Sequence, residues 1–300
     1  DRVCCHPSFS FDASVDSLFG PLAVGGEVHI VPESLRQDLR LLCDYLTEQK
    51  IVGGTFSTQL GMELLNYGKA PLRFVFLGGE KLKPVRQCDT MIVNGYGPTE
   101  FTVCSNYHVV DQSVDTDDIP IGRPVPGSWS YVLDSAGRLL PRGVPGELCI
   151  SGRQLANCYW NRPELTTQKF VDNPFAENID SQRYYRTGDL VRWNASGELE
   201  YLGRIDTQVK IRGFRIELGE VESAIARYPS VQSACADVRT IGSSPQLVAW
   251  FVASEQISVE KLRDWLSEKL TDYMLPSVLV QLDRIPLTPN GKVDRKALKV

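Results

Sequence analysis

The sequence has little of the features that mark membrane, secreted or nucleic-acid-binding proteins. No apolar run approaches the ~18 residues that a membrane-spanning helix requires. The chain does not open with a basic segment followed by an apolar stretch, so we expect no secretion signal. Lysine and arginine number 32 against 37 aspartate and glutamate, a formal net charge of −5. Because phosphate binding usually needs a basic face, we expect neither nucleic acid nor a membrane as a partner.

Cysteine also forms no recognisable site. The eight cysteines are scattered, Cys4 and Cys5 are the only close pair, and no CxxC pair or Cys/His cluster suggests zinc. This usage predicts reduced thiols and a cytoplasmic protein. The first residues read as the middle of a domain, so we expect residue 1 to be a fragment boundary.

The first part of the chain alternates strands and helices. Buried strands are predicted at 26–31 and in IVGGTFS, LRFVFLGG and MIVNGYG, and residues 35–49 and 60–65 have the apolar spacing of amphipathic helices. This alternation predicts a mostly parallel βα sheet over about 1–118, with ligands at the C-terminal ends of its strands.

The remainder has a different character. Short strands joined by turn sequences such as Ser-Ala-Gly predict an antiparallel, barrel-like element over about 119–205. A strand pair in TQVKIRGFRIE, a helix in ELGEVESAIARYP, two further strands and a helix from about 258 to 270 predict a small α+β domain over 206–300. The predicted class is therefore α/β: a partial large subdomain, 1–205, followed by a small C-terminal one.

The segment from Asn94 to Glu100 has the composition of a nucleotide-binding turn. It follows an apolar strand, its glycines permit close backbone approach, and Pro98 stiffens it. Tyr96 offers a flat face, Thr99 a hydroxyl and Glu100 a carboxylate, which suit adenine, phosphate and Mg²⁺. Taken alone, the same segment also fits an ordinary Gly-Pro turn.

Six stretches in sequence point to one family. They are FDASVDSLF (11–19), NGYGPTE (94–100), GELCISGRQLANCYWNRPELT (146–166), YRTGDLVRW (185–193), GRIDTQVKIRGFRIELGEVE (203–222) and PLTPNGKVDRKAL (286–298). In this order they resemble the adenylation domains of nonribosomal peptide synthetases, which are adenylate-forming enzymes. The resemblance implies an enzyme that uses ATP and Mg²⁺ to activate an amino acid as aminoacyl-AMP and transfers it to the phosphopantetheine thiol of a carrier domain.

The resemblance also implies roles for individual residues. Tyr96 would stack on adenine and Asn94 would meet its exocyclic amine, with the strip Gly78, Gly79 and Glu80 on the other face. Thr99 would lie near the α-phosphate, Glu100 would bind magnesium, and Asp189 and Arg204 would contact the ribose. An acceptor-only carboxylate such as Asp189 suits a vicinal diol, which brings two donors. Lys292 would be the catalytic lysine, and Asp206 the hinge on which the small domain rotates.

The amino-acid pocket follows from the same resemblance. Asp12 would pair with the substrate's α-ammonium. The lining would be Ala13, Asp16, Thr58, Phe76, Gly78, Gly95, Val103 and Cys104. Because a carboxylate in such a pocket is costly without a partner, Asp16 favours a substrate side chain with a cation or a hydroxyl. The alternative is that Asp16 turns toward water.

The sequence departs from the family in one respect. The phosphate-binding loop of a complete adenylation domain, rich in Ser, Thr, Gly and Lys, is not present, and neither is GxxxxGK[ST]. We therefore expect the 300 residues to be weakly active or inactive alone, with the carrier and condensation domains of an assembly line as partners. An aryl-acid or acyl-CoA ligase of the same superfamily and a non-catalytic interaction module remain as alternatives.

Overall fold

The computed structural model describes residues 1–85, 87–115, 118–242, 244–286 and 293–300. The chain divides into two compact units, Asp1–Ile205 and Asp206–Val300. The first unit contains a mixed, mainly parallel sheet with helices and an antiparallel sheet, and the second is a small α+β fold. The predicted fold class is therefore confirmed.

The mixed sheet is built from seven strands: β1 (Arg2–Cys5), β2 (Glu27–Ile30), β3 (Gly53–Ser57), β4 (Phe74–Gly78), β5 (Met91–Tyr96), β6 (Asn106–Val109) and β7 (Arg123–Pro124). Their order is β2-β1-β3-β4-β5-β6-β7. Strands β1 to β5 pair in parallel, and β6 and β7 join antiparallel. The strand predicted at 26–31 is present, but it is not buried: β2 is an edge strand, and Ile30 is 51% exposed.

The helices of this layer are α1 (Ala13–Ala23), α2 (Leu39–Glu48) and α3 (Thr58–Tyr67). Helix α2 begins later than the predicted residue 35 because Asp38 caps it, its carboxylate accepting from the N–H groups of Arg40 and Leu41. Helix α1 was not predicted from the sequence. It carries Pro21 in its last turn, which obscures the helical pattern.

The two faces of the mixed sheet are covered differently. Leu42 and Leu46 of α2 and Leu64 of α3 pack with Val75 and Leu77 in a continuous apolar core. On the opposite face, α1 lies against β1, β2 and β3. Because side chains alternate along a strand, Thr55, Phe74 and Phe76 point to the α1 side.

The antiparallel sheet comprises β8 (Ser128–Leu133), β9 (Gly146–Gly152), β10 (Phe170–Asp172), β11 (Arg183–Trp193) and β12 (Leu199–Arg204), with helix α4 (Pro163–Lys169) before β10. The order is β10-β11-β9-β8, and β12 pairs with β11 in the hairpin that the Ala-Ser-Gly turn predicts. Its core includes Tyr96 and Phe101 together with Leu148, Ile150 and Leu199. The segment that follows β5 is thus packed where the two sheets of the first unit meet.

The second unit contains β13 (Val209–Ile211), β14 (Phe214–Ile216), α5 (Leu218–Ala226), β15 (Val231–Ile241), β16 (Ser244–Ala253), α6 (Val259–Ser267) and β17 (Val278–Gln281). The predicted strand pair β13–β14 is confirmed, and β15-β16-β17 form a second sheet. Helices α5 and α6 share one apolar core with this sheet, in which Val221, Phe251 and Leu262 are fully buried.

Short 3₁₀ helices complete the described structure, at Glu33–Leu35, Thr99–Phe101, Ile179–Ser181 and Asp272–Met274. No helix of the described residues is both long enough and apolar enough to cross a membrane.

Candidate functional site

The turn after β5 is held in a strained, close-packed conformation. Thr102 and Val103 have φ values of 52° and 70°, which are uncommon for residues that carry a Cβ and costly for a β-branched side chain. A Cβ on Gly97 would lie 2.2 Å from the carbonyl oxygen of Val103, so only glycine allows this approach. The 3₁₀ helix Thr99–Phe101 lies between these points, which fixes Thr99 and Glu100 relative to the end of β5.

Asn94 is buried and oriented at the end of this strand. The residue is 2% exposed, and its side-chain amide donates from Nδ2 to the carbonyl oxygen of Pro120 at 2.7 Å. Because this bond fixes which end of the amide is the donor, the oxygen Oδ1 is the end that can accept from an exocyclic amine. The predicted role of Asn94 therefore fits its orientation.

The strip Gly78–Glu80 lies beside Asn94 at the end of the neighbouring strand. Gly78 pairs in register with Gly95, and a Cβ on Gly78 would lie 3.0 Å from the Gly95 carbonyl oxygen. The Thr58 hydroxyl is 3.1 Å from the carbonyl oxygens of both Gly78 and Glu80. Thr58, predicted to line the amino-acid pocket, is thus buried and holds this strip in place.

Asp189 is the centre of a second buried group. It is 3% exposed and pairs in register with Arg204 across the β11–β12 hairpin, where Nη1 of Arg204 lies 3.0 Å from Oδ1. The Tyr96 hydroxyl donates to Oδ2 of the same carboxylate. Burial, together with the charge of Asp189, raises the pKa of Tyr96, so the phenol stays a neutral donor.

This arrangement fits a ribose diol. An ionised carboxylate can accept about four hydrogen bonds, so Asp189 has capacity beyond Tyr96 and Arg204. Tyr96, Asp189 and Arg204 were predicted separately on three motifs, and the fold brings them together. The hydrogen bond between Tyr96 and Asp189 was not anticipated.

Glu100 forms a third group with two tyrosines. Glu100 is only 8% exposed, and the Tyr185 hydroxyl donates to its Oε1 at 2.8 Å. The Tyr159 hydroxyl donates to the same oxygen. Thr99, its neighbour, is exposed. The described residues contain no group of three or more His, Cys, Asp and Glu side chains able to hold a metal ion. A single carboxylate still fits Mg²⁺, which commonly binds one or two carboxylates together with substrate phosphates.

An open cavity of about 400 Å³ lies between α1 and the sheet. Asp16 and Ser17 line it from the helix, and Thr55, Phe74 and Phe76 line it from the strands. Two predicted pocket residues, Asp16 and Phe76, therefore meet in one cavity. Thr55 and Phe74 were missed, although their alternation with buried neighbours on β3 and β4 would have assigned them to the same face.

Asp16 is solvent-exposed along this cavity wall, although the surrounding atoms desolvate its carboxyl. This desolvation raises the pKa of Asp16. Burial, followed by the charge of Asp16, raises the pKa of the Cys104 thiol to about 12, so the two groups interact electrostatically. Asp16 thus lines the cavity and is exposed to solvent at the same time, because the cavity is open.

The other predicted pocket residues are not among those that line this cavity. Asp12 precedes α1 and Ala13 begins it, one turn from Asp16. Gly95 is covered by the Phe76 ring, whose Cε1 would be 2.1 Å from a Cβ at that position. Val103 is part of the strained turn and Cys104 follows it, with the Cys104 thiol 3.3 Å from the Asn106 carbonyl oxygen.

The predicted catalytic lysine, Lys292, lies outside the described residues. Beyond it, Arg295 pairs with Glu222 of α5 at 2.9 Å and its Nε lies 3.4 Å from the carbonyl oxygen of Ala236, which anchors the end of the chain to the second unit. Asp206, the predicted hinge, begins that unit, and its carboxylate accepts from the N–H of Gln208 at 3.1 Å.

Tyr159 and Tyr185 are further functional candidates that sequence analysis missed. Both lie in stretches recognised as motifs, GELCISGRQLANCYWNRPELT and YRTGDLVRW, yet neither received a role. They are 59 and 85 residues from Glu100 in the chain. Their position within these motifs is the one feature of the sequence that could have indicated a functional role.

Comparison with known proteins agrees with the geometry. The sequence matches the AMP-binding enzyme family over residues 1–160 and the AMP-binding enzyme C-terminal domain over residues 220–292. It is 40% identical over 301 residues to bacitracin synthase 1 of Bacillus licheniformis and 41% identical over 304 residues to tyrocidine synthase 2 of Brevibacillus parabrevis. These alignments cover 100% and 99% of this chain but only 6% and 8% of the two synthases.

A solved structure shares the fold over nearly the whole chain. It is a holo NRPS protein containing adenylation and PCP domains, bound to a vinylsulfonamide inhibitor. It superimposes with a TM-score of 0.86 at 30% identity, covering 99% of this chain and 52% of that one.

Proposed function

Because this chain belongs to the AMP-binding enzyme family, and within it to the adenylation domains of nonribosomal peptide synthetases, we propose that it contributes to ATP-dependent activation of an amino acid. In the first step a carboxylate oxygen of the amino acid attacks the α-phosphorus of ATP, and pyrophosphate leaves. In the second step the phosphopantetheine thiol of a carrier domain attacks the acyl carbon, loses its proton and releases AMP. The observation that carries this proposal is the convergence of Asn94, Tyr96, Glu100, Asp189 and Arg204 at the junction of two sheets.

The nucleoside end of ATP is recognised by buried, pre-oriented groups. Asn94 accepts from the exocyclic amine of adenine, and Tyr96 and the strip Gly78–Glu80 lie against the two faces of the base. Asp189 accepts from the ribose hydroxyls, with Arg204 beside it at 3.0 Å. Because these groups are already hydrogen-bonded to the fold, little side-chain entropy is lost when the nucleotide binds.

The phosphate end requires positive charge. Thr99 donates to the α-phosphate, and Glu100 would hold Mg²⁺, which when bound would supply positive charge beside the phosphates. Carboxylate and phosphate at ~4 Å repel by about 4 kcal/mol at an effective dielectric constant near 20. Lys292 places an ammonium between them during adenylation, and rotation about Asp206 removes it before thioester formation.

The amino acid lies on the α1 side of the sheet. Asp12 pairs with its α-ammonium, which selects amino acids over aryl and fatty acids. Its side chain enters the cavity of Asp16, Phe74 and Phe76. An open cavity with one carboxylate on an apolar wall suits a sizeable side chain that ends in a cation or a hydroxyl, such as lysine, ornithine or tyrosine.

The test is amino-acid-dependent ATP–pyrophosphate exchange by the polypeptide that contains this chain together with its upstream sequence, measured beside the 300 residues alone. Exchange with one amino acid, lost in Lys292→Ala and Asp12→Asn and kept in Asp44→Asn on the exposed side of α2, is the expected result. Exchange supported only by an aryl or fatty acid would replace the amino acid as the substrate class. Silence with every acid tested would favour a non-catalytic module and refute the proposal.

A further inference from the structure

Glu100 is held by two phenols, and we propose that Tyr159 and Tyr185 are positioning residues that orient its carboxylate for a divalent cation. This inference rests on the proposed role of Glu100 in binding magnesium. Neither tyrosine touches the nucleotide in this proposal; both act through Glu100.

The contacts converge on one oxygen. The Tyr185 hydroxyl lies 2.8 Å from Oε1 of Glu100, the Tyr159 hydroxyl donates to the same atom, and the two phenol oxygens are 3.1 Å apart. Two donors on one carboxylate oxygen fix both the position and the plane of the group, which a single hydrogen bond would leave free to rotate. Glu100 is also tied through its backbone, because its carbonyl oxygen accepts from the N–H of Ala156 at 2.9 Å.

The two phenol rings are themselves immobilised. Phe170 packs edge-on against Tyr159, with centroids 5.3 Å apart, and at 5.2 Å from the Tyr185 ring. Tyr185 is fully buried in β11, between partners in β9 and β10. The N–H of Tyr159 donates to the hydroxyl of Thr166 in α4 at 3.0 Å. The hydroxyls are therefore positioned by the antiparallel sheet and its helix rather than by flexible side chains.

The chemical nature of the donors suits a metal ligand. A lysine or arginine in their place would neutralise Glu100 and weaken its attraction for a cation. Neutral phenols stabilise the ionised carboxylate and leave its negative charge in place. An ordinary phenol has a pKa of about 10, so both hydroxyls carry their protons at neutral pH and can donate.

The experiment compares Tyr159→Phe and Tyr185→Phe with the unchanged protein in the upstream-extended polypeptide. Each substitution removes one hydroxyl and keeps the ring. Tyr131→Phe is the matched control, since the Tyr131 hydroxyl lies in the same sheet but accepts from Asn173 at 3.2 Å. Binding of a fluorescent ATP is measured in EDTA and then against rising Mg²⁺, and Mn²⁺ binding in the presence of ATP is followed by electron paramagnetic resonance.

We expect Tyr159→Phe and Tyr185→Phe each to raise the half-saturating Mg²⁺ concentration by about tenfold, the lower end of the effect of losing a group that orients a metal ligand. The metal-free affinity for ATP should stay within about twofold of that of the unchanged protein. A purely structural role would instead weaken metal-free and Mg²⁺-dependent binding together. Tyr131→Phe should change neither. Mn²⁺ affinity should fall in parallel.

Two results would overturn the inference. One is an unchanged Mg²⁺ dependence in both variants while the unchanged protein responds normally to Mg²⁺. The other is an equal loss of metal-free and Mg²⁺-dependent binding, which would make the phenols structural only. Nucleotide binding by the unchanged protein that ignores Mg²⁺ altogether would instead refute the proposed role of Glu100, and the inference with it.

Discussion

The two ends of the candidate site are built in opposite ways. At the nucleotide end Asn94, Glu100 and Asp189 are buried, and the side chain of each is hydrogen-bonded to another segment of the first unit. At the amino-acid end Asp16 lies exposed along an open cavity walled largely by apolar groups. The first arrangement suits a ligand that never varies, and the second leaves side-chain specificity to a few residues that can change without disturbing the fold.

The largest effect is expected at the nucleotide end, from Asp189→Ala. Removing the carboxylate takes away a partner 3.0 Å from the nearly buried Arg204 and the acceptor of the Tyr96 hydroxyl. Loss of one member of a buried ion pair lowers the free energy of unfolding by about 3–5 kcal/mol. Urea denaturation measures it, with Asp44→Ala as an exposed control that should stay within about 0.5 kcal/mol. A loss of unfolding free energy no larger than that of the control would mean that the buried ion pair does not stabilise the nucleotide end.

Alanine substitutions at Gly97 and Gly95 should affect the two ends of the site differently. In Gly97→Ala the new Cβ would meet the backbone oxygen of Val103 at 2.2 Å, so the turn itself must shift. We expect a loss of about 1–3 kcal/mol in unfolding free energy together with weakened nucleotide binding. In Gly95→Ala the clash is with the Phe76 ring, which can turn into the cavity, so the amino-acid KM should rise more than the ATP KM. Identical kinetic profiles of the two variants would contradict the separation of the two ends.

At the amino-acid end, Asp16→Asn should leave stability within about 0.5 kcal/mol, because the side chain is exposed. The KM for a cationic amino acid should rise about tenfold to a hundredfold, as expected for loss of a charge-assisted contact. Desolvation raises the pKa of Asp16 above 3.8, so in the unchanged protein this KM should also rise as the pH falls through that raised pKa. In Asp16→Asn the acidic limb should be absent. An unchanged substrate ranking would eliminate Asp16 as the selector.

The smallest effect is expected from a titrating group away from both ends. His108 of β6 lies 2.8 Å from Asp115 and 3.1 Å from Glu198, with Arg123 at 3.9 Å from the same Glu198. Burial lowers the pKa of His108, but the hydrogen bonds to Asp115 and Glu198 outweigh it, and the net shift is upward from 6.5. The stabilisation is therefore complete below pH 6.5 and is lost as the pH rises through the raised pKa.

The test for His108 is the midpoint of thermal unfolding between pH 6 and 9. The unchanged protein should lose stability across this window, and His108→Gln should show a flatter profile. Equal slopes would show that the imidazole does not carry the effect.

The sequence predicted what depends on local pattern. Short apolar stretches predicted β3, β4 and β5, and the turn sequences predicted the β11–β12 hairpin, because these signals are contained within a few neighbouring residues. Helix α1 was not predicted, since Gly20 and Pro21 weaken its helical pattern. The prediction that β2 is buried was wrong, because an edge position depends on strand order, which no single segment encodes.

At the site, the sequence named individual residues but not the hydrogen bonds between them. Motif resemblance selected Tyr96 and Asp189, yet their hydrogen bond joins residues 93 positions apart. The two phenols on Glu100 were missed for the same reason. Thr58 was predicted to line a pocket, and the contacts of its hydroxyl with the carbonyl oxygens of Gly78 and Glu80, about 20 residues away in the chain, were not anticipated. The role of Lys292 stays a prediction.

The most direct test of the account is detection of the acyl-adenylate itself. The upstream-extended polypeptide would be incubated with ATP, Mg²⁺ and a mixture of amino acids and aryl acids, and the bound adenylates identified by mass spectrometry. The account predicts one dominant aminoacyl-AMP whose side chain carries a cation or a hydroxyl, absent in Lys292→Ala. An aryl-AMP, or no adenylate from any acid, would contradict it.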